Sequence, residues 1–251
     1  MKKKNKKQIK FGLIGRNISY SFSKQYFTEK FEMSHFDNCE YTNYDIQTIE
    51  EFPAIIANTK GLKGVNVTIP FKEDIIPLLD KLSKTAQLIG AVNCISISKK
   101  GKLKGYNTDY YGFKKSLQPL LKEHHKKALI LGTGGASKAV AYALRKLKIE
   151  YDFVSRTPNE FQLNYTDLDA DIFDEYHIII NTTPLGTHPN VENFPDLDYS
   201  LFTKKHIAYD LVYNPAETTF LQKAKAQEAT IKNGYEMLVL QAEKAWKIWN
   251  K

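Results

Sequence analysis

Asn66, Thr68 and Lys72 are the residues of this sequence whose types and spacing most directly suggest chemistry. Asn66 and Thr68 lie two positions apart in an extended-looking run, so on a strand their side chains project from the same face. Pro70 ends that run, and the residues after it predict a helix with Lys72 in its first turn. An amide, a hydroxyl and an amine at one strand end can each hydrogen-bond a polar ligand. The alternative is a half-exposed strand face followed by a lysine in solvent.

A glycine-rich stretch forms a second candidate site, Gly132-Thr133-Gly134-Gly135-Ala136. It directly follows a predicted strand and opens a predicted helix, which is the context that makes such a motif informative. Glycines let the backbone approach a pyrophosphate, and the helix N-terminus offers free N–H groups and partial positive charge. Ala139 stands where a third glycine is usual, and it is small enough for close packing of helix on strand. The stretch predicts a dinucleotide site, with a plain strand–helix turn as the alternative.

The end of the next predicted strand indicates which dinucleotide is bound. A protein that binds NAD usually carries Asp or Glu there, to bond the ribose hydroxyls. This chain has Ser155, Arg156 and Thr157 instead. A guanidinium and two hydroxyls suit a 2′-phosphate, which a carboxylate would repel. We therefore expect NADP as the cofactor, against the alternative that Arg156 is a solvated surface arginine.

The composition is that of a globular protein. Of the 251 residues, 42% are hydrophobic and 25% charged, which argues against disorder. Cys39 and Cys94 fit neither a disulfide framework nor a metal site, and no apolar run is long enough for a membrane span. We expect a cytoplasmic protein that binds no metal, nucleic acid or membrane. Much of the net charge of +8 sits in an N-terminal run, which favours a solvated tail over a nucleic-acid arm: Lys2, Lys3, Lys4, Lys6, Lys7 and Lys10.

Short aliphatic runs alternate with helix-length amphipathic segments, which is typical of βαβ units. Strands are predicted at residues 9–14, 41–44, 64–67, 94–98, 127–131, 151–155, 178–181 and 206–211. Helices are predicted near residues 23–34, 48–57, 71–89 and 109–121, from the glycine loop to about 147, and over about 235–249. A turn at 99–102 joins two short strands. We expect an α/β fold of two domains with a boundary near Gly105 and a ligand cleft between them.

Several separated motifs resemble the shikimate dehydrogenase family along nearly the whole chain. They are Ser21-Phe22-Ser23, NVTIPFK at 66–72, Gly90-Ala91-Val92-Asn93, Asn107-Thr108-Asp109, the glycine loop and Gln241. The resemblance implies reversible NADPH-dependent reduction of 3-dehydroshikimate to shikimate, a step of chorismate and aromatic amino-acid biosynthesis. It also implies a substrate-binding domain formed by residues 1–105 with 235–251, and a Rossmann-like NADP-binding domain at 106–234.

The resemblance further implies a role for each matched residue. Lys72 and Asp109 correspond to the family's catalytic pair, in which the lysine stabilises and protonates the developing alkoxide while the aspartate orients it. Substrate-binding positions are Ser21, Ser23, Asn66, Thr68, Lys72, Asn93, Asp109, Tyr213 and Gln241. Cofactor-binding positions are Gly132, Thr133, Gly134, Gly135, Ala136, Ser155, Arg156, Thr157, Thr183, Leu211 and Gly234, with Thr182 beside them.

Some positions depart from the family pattern. The Ser-x-Ser motif is preceded by Tyr20 and followed by Lys24, where the family usually has His and Pro. Ser155 replaces the usual Asn, and Glu160 follows where a further basic residue is common. Two alternatives remain beside the main interpretation. One is a relative that acts on quinate, or on both quinate and shikimate, with NAD, and the other is a non-catalytic dinucleotide-binding or regulatory protein. The expected assembly is a monomer or a homodimer.

Overall fold

The structure is a computed structural model that describes residues 7–19 and 21–251. The expectations for Lys2, Lys3, Lys4, Lys6 and Tyr20 lie outside the described residues. Backbone contacts divide the chain into two units. The first combines the described part of residues 1–108 with Ala242–Lys251, and the second is Asp109–Gln241.

The first unit contains one mixed sheet with the strand order β2-β1-β3-β5-β6-β4. Its strands are β1 (Ile9–Gly15), β2 (Cys39–Asp45), β3 (Leu62–Val67), β4 (Lys81–Leu82), β5 (Cys94–Ile97) and β6 (Leu103–Tyr106). Its helices are α1 (Phe22–Met33), α2 (Phe52–Asn58) and α3 (Lys84–Ile89). β1 pairs in parallel with β2 and β3, whereas β5 runs antiparallel to β3 and β6. The predicted turn at 99–102 is confirmed as the link between β5 and β6.

The second unit contains one sheet in which every pairing is parallel. Its strands are β7 (Lys127–Leu131), β8 (Glu150–Ser155), β9 (Gln162–Asn164), β10 (Ile178–Asn181), β11 (Ile207–Asp210) and β12 (Thr230–Lys232). Its helices are α4 (Asp109–Leu117), α5 (Gly135–Leu147), α6 (Ala170–Glu175), α7 (Thr219–Lys225) and α8 (Tyr235–Trp249), whose last residues belong to the first unit. The order β9-β8-β7-β10-β11-β12 is that of a Rossmann fold, with the reversal between β7 and β10.

Successive residues of the central strands point to opposite faces of the second sheet, and both faces are covered by helices. On β7, Ala128 and Ile130 belong to a core that includes residues of α4 and α5, whereas Leu129 and Leu131 belong to one that includes residues of α6 and α7. All four side chains are fully buried. A strand that is apolar at every position is buried on both faces, as parallel sheets require.

Aromatic rings dominate the core on one face of the first sheet. Phe11 of β1 stacks on Trp249 with ring centroids 4.9 Å apart, and Phe27 of α1 lies 5.3 Å from the same indole. The indole N–H of Trp249 donates to the backbone oxygen of Ile95 at 3.0 Å. The end of α8 is thus anchored to the first unit by packing and by a buried hydrogen bond.

The prediction of one helix over residues 71–89 is wrong. The chain after Pro70 forms turns, a 3₁₀ helix covers Ile76–Leu78, and only α3 is α-helical. Pro77 lies in the middle of the segment and lacks the N–H that a continuing helix needs. The Ser83 hydroxyl then accepts from the N–H of Ala86 at 3.1 Å, which starts α3 as a separate element.

The eight predicted strands are confirmed to within two residues at each end, and the final helix matches α8. The prediction missed the short strands β4, β9 and β12 and the short helices α6 and α7. Elements of two to seven residues are too short for their periodicity to be distinguished from that of a loop. None of the helices in the described residues is long and apolar enough to cross a membrane.

Candidate active site

Asn66 and Asn93 form the centre of a buried polar cluster in the first unit. Asn66 lies at 4% exposure on β3, and its Nδ2 donates to the backbone oxygen of Asn93 at 3.1 Å. The Asn93 side chain accepts from the N–H of Thr108 at 2.6 Å and donates to the Thr108 hydroxyl at 2.9 Å. Buried amides are costly unless they are paired, so these bonds fix both side chains. Two of the predicted substrate-binding residues are therefore brought together.

Tyr41 completes this cluster, and the sequence reasoning missed it. Its hydroxyl donates to Oδ1 of Asn66 at 2.9 Å. Burial raises the pKa of the Tyr41 phenol well above its usual value, and a hydrogen-bonding interaction with the Ser23 side chain opposes that rise. The only local signal in the sequence is an aromatic residue with a polar tip in the middle of β2.

Lys72 lies in a turn that is tied to the same strand end. Its backbone oxygen accepts from the N–H of Val92 at 2.7 Å, next to Asn93. Phe71, at 2% exposure, anchors the turn in the core, while Lys72 itself is half-buried. Thr68 is half-buried as well, and its N–H donates to the backbone oxygen of Ile14 at 2.9 Å. The amine of Lys72 therefore stands on an anchored backbone.

The two serines lie at the start of α1, and both are half-buried. Ser21 occupies the N-cap position, yet its side chain makes no capping hydrogen bond. Capping is the usual structural role of a serine at this position, and it does not account for the Ser21 side chain. Ser23 has a hydrogen-bonding interaction with the Tyr41 phenol, which opposes the rise in the phenol pKa that burial causes.

Asp109 and Gln241 lie on two helices of the second unit that pack closely. Asp109 is the first residue of α4 and is 6% exposed, and Gln241 on α8 is 5% exposed. Gly112, one turn after Asp109, lies so near α8 that an added Cβ would be 2.4 Å from the Met237 oxygen and 3.2 Å from the Gln241 nitrogen. The start of α4 and the middle of α8 are thus held against each other.

The glycine loop turns from the end of β7 into α5. Gly132 has φ +102°, which side-chain-bearing residues rarely adopt, and Gly134 is the N-cap of α5. A Cβ at Gly134 would meet no atom within 4 Å. The first turn of α5 holds no acidic residue that would compete with a bound anion for its partial positive charge. Thr133 is exposed, while Gly135 and Ala136 are half-buried in that first turn.

A buried hydrogen-bond chain supports the end of β10 beside this loop. Oδ1 of Asn181 accepts from both the N–H and the hydroxyl of Thr183, at 3.0 and 2.6 Å. Asn181 donates to the Asp210 carboxylate at 3.0 Å, which also accepts from the Thr218 hydroxyl at 2.6 Å. Burial raises the pKa of Asp210 to about 7, although these bonds oppose the rise. The sequence signal that could have identified Asn181 and Asp210 is their position as the polar last residues of the apolar strands β10 and β11.

Neighbouring backbone fixes the remaining predicted positions of the second unit. The Thr182 hydroxyl donates to the backbone oxygen of Leu131 at 2.7 Å. Gly234 approaches Leu211 so closely that an added Cβ would lie 2.1 Å from the Leu211 oxygen. Leu211 and Tyr213 are half-buried in the segment that follows β11. The ends of β7, β10 and β11 therefore place these positions at the carboxyl edge of the parallel sheet, where Rossmann folds bind ligands.

The end of β8 lies at the same edge and carries the predicted 2′-phosphate residues. Arg156 and Thr157 are exposed and Ser155 is half-buried. The N–H of Thr157 donates to the Ser155 hydroxyl at 3.2 Å. Burial raises the pKa of Tyr165, just after β9, and the positive charge of Arg156 opposes that rise. Because β8 pairs with β7, Arg156 follows the strand next to the one that leads into the glycine loop.

Similarity to known proteins decides the family. Residues 13–95 match the family model described as the shikimate dehydrogenase substrate binding domain. The shikimate dehydrogenase (NADP(+)) of Caldanaerobacter subterraneus is 38% identical over 261 aligned positions, covering 95% of this chain and 90% of that protein. The chain belongs to the shikimate dehydrogenase family.

Solved structures of the family share the fold. The shikimate dehydrogenase of Aquifex aeolicus has 36% identity and a TM-score of 0.86, covering 97% of this chain and 92% of that one. A quinate dehydrogenase from Corynebacterium glutamicum, solved in complex with NAD, has 27% identity and a TM-score of 0.82, covering 97% of this chain and 94% of that one. The two-domain fold class expected from the sequence is thereby confirmed.

The shikimate dehydrogenase match also separates the candidate residues into two groups. Ser21, Ser23, Asn66, Lys72 and Asn93 all lie inside the matched segment 13–95. The residues suited to a dinucleotide lie outside it, on the Rossmann sheet. This edge suits a pyrophosphate and a 2′-phosphate, because a Cβ at Gly134 would meet no atom, the first turn of α5 holds no acidic residue and Arg156 is a cation.

Proposed function

We propose that the chain catalyses the reversible NADPH-dependent reduction of 3-dehydroshikimate to shikimate, in chorismate and aromatic amino-acid biosynthesis. The observation that carries this proposal is the 38% identity to a curated shikimate dehydrogenase (NADP(+)) over 95% of the chain. The buried amide cluster supports it, because a polyhydroxylated ring needs fixed hydrogen-bond partners. A protein that merely retained the dinucleotide fold has no need of that cluster.

The substrate contacts in this proposal come mainly from the first unit. Asn66, Thr68 and Asn93 bond the ring hydroxyls, and Ser21 and Ser23 bond the substrate carboxylate through their hydroxyls. Gln241, Asp109 and Tyr213 contribute further contacts to the substrate. We assign residues 1–105 with 235–251 to substrate binding and 106–234 to NADP binding. The match of residues 13–95 to a substrate binding domain supports the first assignment.

Lys72 acts as the general acid in the proposed reaction. Reduction of a ketone forms a C–H bond from a hydride and leaves an alkoxide, which takes one proton to become the alcohol. The ammonium of Lys72 stabilises the developing charge on that oxygen and donates the proton. Asp109 accepts a hydrogen bond from a substrate hydroxyl and fixes the ring against rotation. The anchored backbone of the Lys72 turn supports this role, since a positioned acid is more effective than a mobile one.

NADP fits the carboxyl edge of the Rossmann sheet. When bound, its nicotinamide supplies the hydride. Gly132, Thr133, Gly134, Gly135 and Ala136 hold the pyrophosphate, while Ser155, Arg156 and Thr157 hold the 2′-phosphate. Thr183, Leu211 and Gly234 lie toward the nicotinamide in this proposal. We further propose a cytoplasmic monomer or homodimer that binds no nucleic acid.

Oxidation of quinate with NAD is the second candidate function. The 27% identity to a quinate dehydrogenase solved with NAD, together with exposed Glu160 after Arg156, favours it. Measurement of kcat/KM for shikimate and quinate with NADP and NAD separates the two. We expect shikimate with NADP to give the highest value. Predominant turnover of quinate with NAD would reverse the assignment.

A Lys72→Ala variant tests the chemistry. We expect turnover to fall by about two orders of magnitude or more, the effect of losing a positioned acid, with NADP affinity nearly unchanged. Turnover is followed by the absorbance of the reduced nicotinamide, and NADP affinity by titration calorimetry. Lys84→Ala, at an exposed lysine of α3, is the matched control and should retain parental turnover. Equal turnover in Lys72→Ala and the parent excludes the proposed role.

A further inference from the structure

We propose that Tyr41 is a positioning residue for substrate binding, acting through the side-chain amide of Asn66. The inference rests on the proposed function, because Asn66 is taken there as a partner of a ring hydroxyl. Tyr41 itself is 4% exposed on β2, with its ring stacked on Phe27 at a centroid distance of 4.7 Å and an interplanar angle of 12°. The ring is therefore held by packing, and the hydroxyl alone is available for a specific role.

Two hydrogen bonds fix the amide of Asn66. Tyr41 donates to Oδ1 at 2.9 Å, and Nδ2 donates to the backbone oxygen of Asn93 at 3.1 Å. The terminal torsion of an asparagine is otherwise broad and nearly two-fold. Because both Oδ1 and Nδ2 are hydrogen-bonded, rotating the amide by 180° would place Oδ1 against the backbone oxygen of Asn93. The second N–H and the second oxygen lone pair then have fixed directions.

The phenol also connects Asn66 to the helix that carries the two serines. Ser23 interacts with the Tyr41 hydroxyl and lowers the pKa that burial has raised. Ser23 lies in the first turn of α1, whereas Asn66 lies on β3. Tyr41 thus links the proposed partner of the carboxylate to the proposed partner of a ring hydroxyl. A substrate that uses both would therefore meet two side chains that interact with the same buried hydroxyl.

Tyr41→Phe tests this role, because it removes the hydroxyl and keeps the ring. We expect the KM for shikimate to rise by about fivefold to tenfold, the size of one lost hydrogen bond, with kcat and the KM for NADP changed less than about twofold. In an Asn66→Ala background the same substitution should add less than about twofold, because its effect passes through Asn66. Tyr176→Phe, which removes a hydroxyl that donates to Asp152 in the second unit, is the matched control. It should leave the shikimate KM unchanged.

A spectroscopic measurement separates this inference from the proposed function. In ¹⁵N-asparagine-labelled protein, the side-chain NH₂ signals of Asn66 should shift and broaden in Tyr41→Phe and stay in place in Tyr176→Phe. An unchanged shikimate KM, equal losses with and without Asn66, or unchanged Asn66 signals each overturn the positioning role. If the parent does not oxidise shikimate, the proposed function fails, and the amide signals still decide whether Tyr41 orients Asn66.

Discussion

At the residue scale, the proposed preference for NADP over NAD depends mainly on Arg156. The end of β8 carries Ser155, Arg156 and Thr157, and therefore a guanidinium and two hydroxyls in place of the carboxylate that is usual for NAD. Arginine matches a phosphate with paired N–H donors, and a bond to a charged group is worth roughly 1.5–3 kcal/mol. Such a residue affects NADP and has little effect on NAD, which lacks the 2′-phosphate.

Arg156→Ala should therefore change cofactor selectivity. We expect the KM for NADP to rise by roughly 10-fold to 100-fold, with the KM for NAD changed little. Steady-state kinetics with each cofactor at saturating shikimate measure the change. Arg145→Ala is the control, because Arg145 lies at the far end of α5, over the Tyr142 ring at 5.6 Å. A parallel loss with NADP and NAD would show that Arg156 does not contact the 2′-phosphate.

At the scale of elements, the strand–turn–helix from β7 to α5 assigns different tasks to its glycines. Gly132 has a backbone conformation that other residues adopt only with strain, and Thr183 and Thr182 lie 3.0 and 3.1 Å from the position of an added Cβ. Gly134 has φ −74°, and a Cβ there would meet nothing within 4 Å. The first glycine is needed for folding of the loop, whereas the second leaves room for a ligand.

Gly132→Ala and Gly134→Ala should consequently separate stability from binding. We expect Gly132→Ala to lower the free energy of unfolding by about 1–3 kcal/mol, because the residue is both strained and crowded. Gly134→Ala should cost about 1 kcal/mol or less, the effect at an N-cap, and should weaken NADP binding at least about tenfold. Urea denaturation and calorimetric titration provide the two measurements. Tight NADP binding by Gly134→Ala would argue against the pyrophosphate site.

At the scale of the whole molecule, three histidines with pKa values lowered by burial predict that stability depends on pH: His125, His177 and His206. His124, His125, His177 and His206 lie in ring contact in the second unit, at centroid distances of 4.1 to 5.3 Å. Nδ1 of His125 accepts from the N–H of Lys122 at 2.8 Å, a role that requires the neutral ring. Burial is the main cause that lowers the pKa of His125 to about 4, and it also lowers the pKa values of His177 and His206.

The sign of the effect follows from linkage. Since these pKa values lie below that of an unfolded histidine, about 6.5, the unfolded chain binds protons first. The contribution of these histidines to stability is therefore complete above about pH 6.5 and is lost as the pH is lowered, toward about 4 for His125. Asp210 acts in the opposite direction, because its pKa is raised to about 7. Comparing a histidine variant with the parent protein at the same pH cancels the Asp210 contribution, since both proteins retain Asp210.

His125→Asn removes one titrating ring and keeps an oxygen able to accept from Lys122. We expect the stability difference between parent and variant to shift in favour of the variant as the pH falls from about 7.5 to about 4.5. Urea denaturation at several pH values measures it. A difference independent of pH would mean that His125 does not titrate in this range.

The sequence by itself determined the alternation of elements and the presence of parallel strands, and it indicated the candidate sites at strand ends. Parallel strands that are buried on both faces have continuous apolar runs, so residues 128–131 and 178–180 are recognisable without knowledge of their neighbours. The glycine loop is equally local, because a tight turn and a helix N-terminus are encoded by adjacent residues. The motif residues Asn66, Lys72 and Asn93 were identified by type and by resemblance, although the segment after Pro70 was wrongly predicted as a helix.

Only the tertiary structure decided which polar groups hold the site residues in place. Tyr41 binds Asn66 from 25 positions away, and Thr108 binds Asn93 from 15 positions away. The support of Thr183 by Asn181 and Asp210 joins the ends of two strands. Such contacts leave no periodic trace in the sequence, since hydrogen-bond partners are chosen by the register of strands and not by spacing along the chain. Sequence therefore names the groups that we propose for ligand binding, and packing in three dimensions sets the direction in which each of them points.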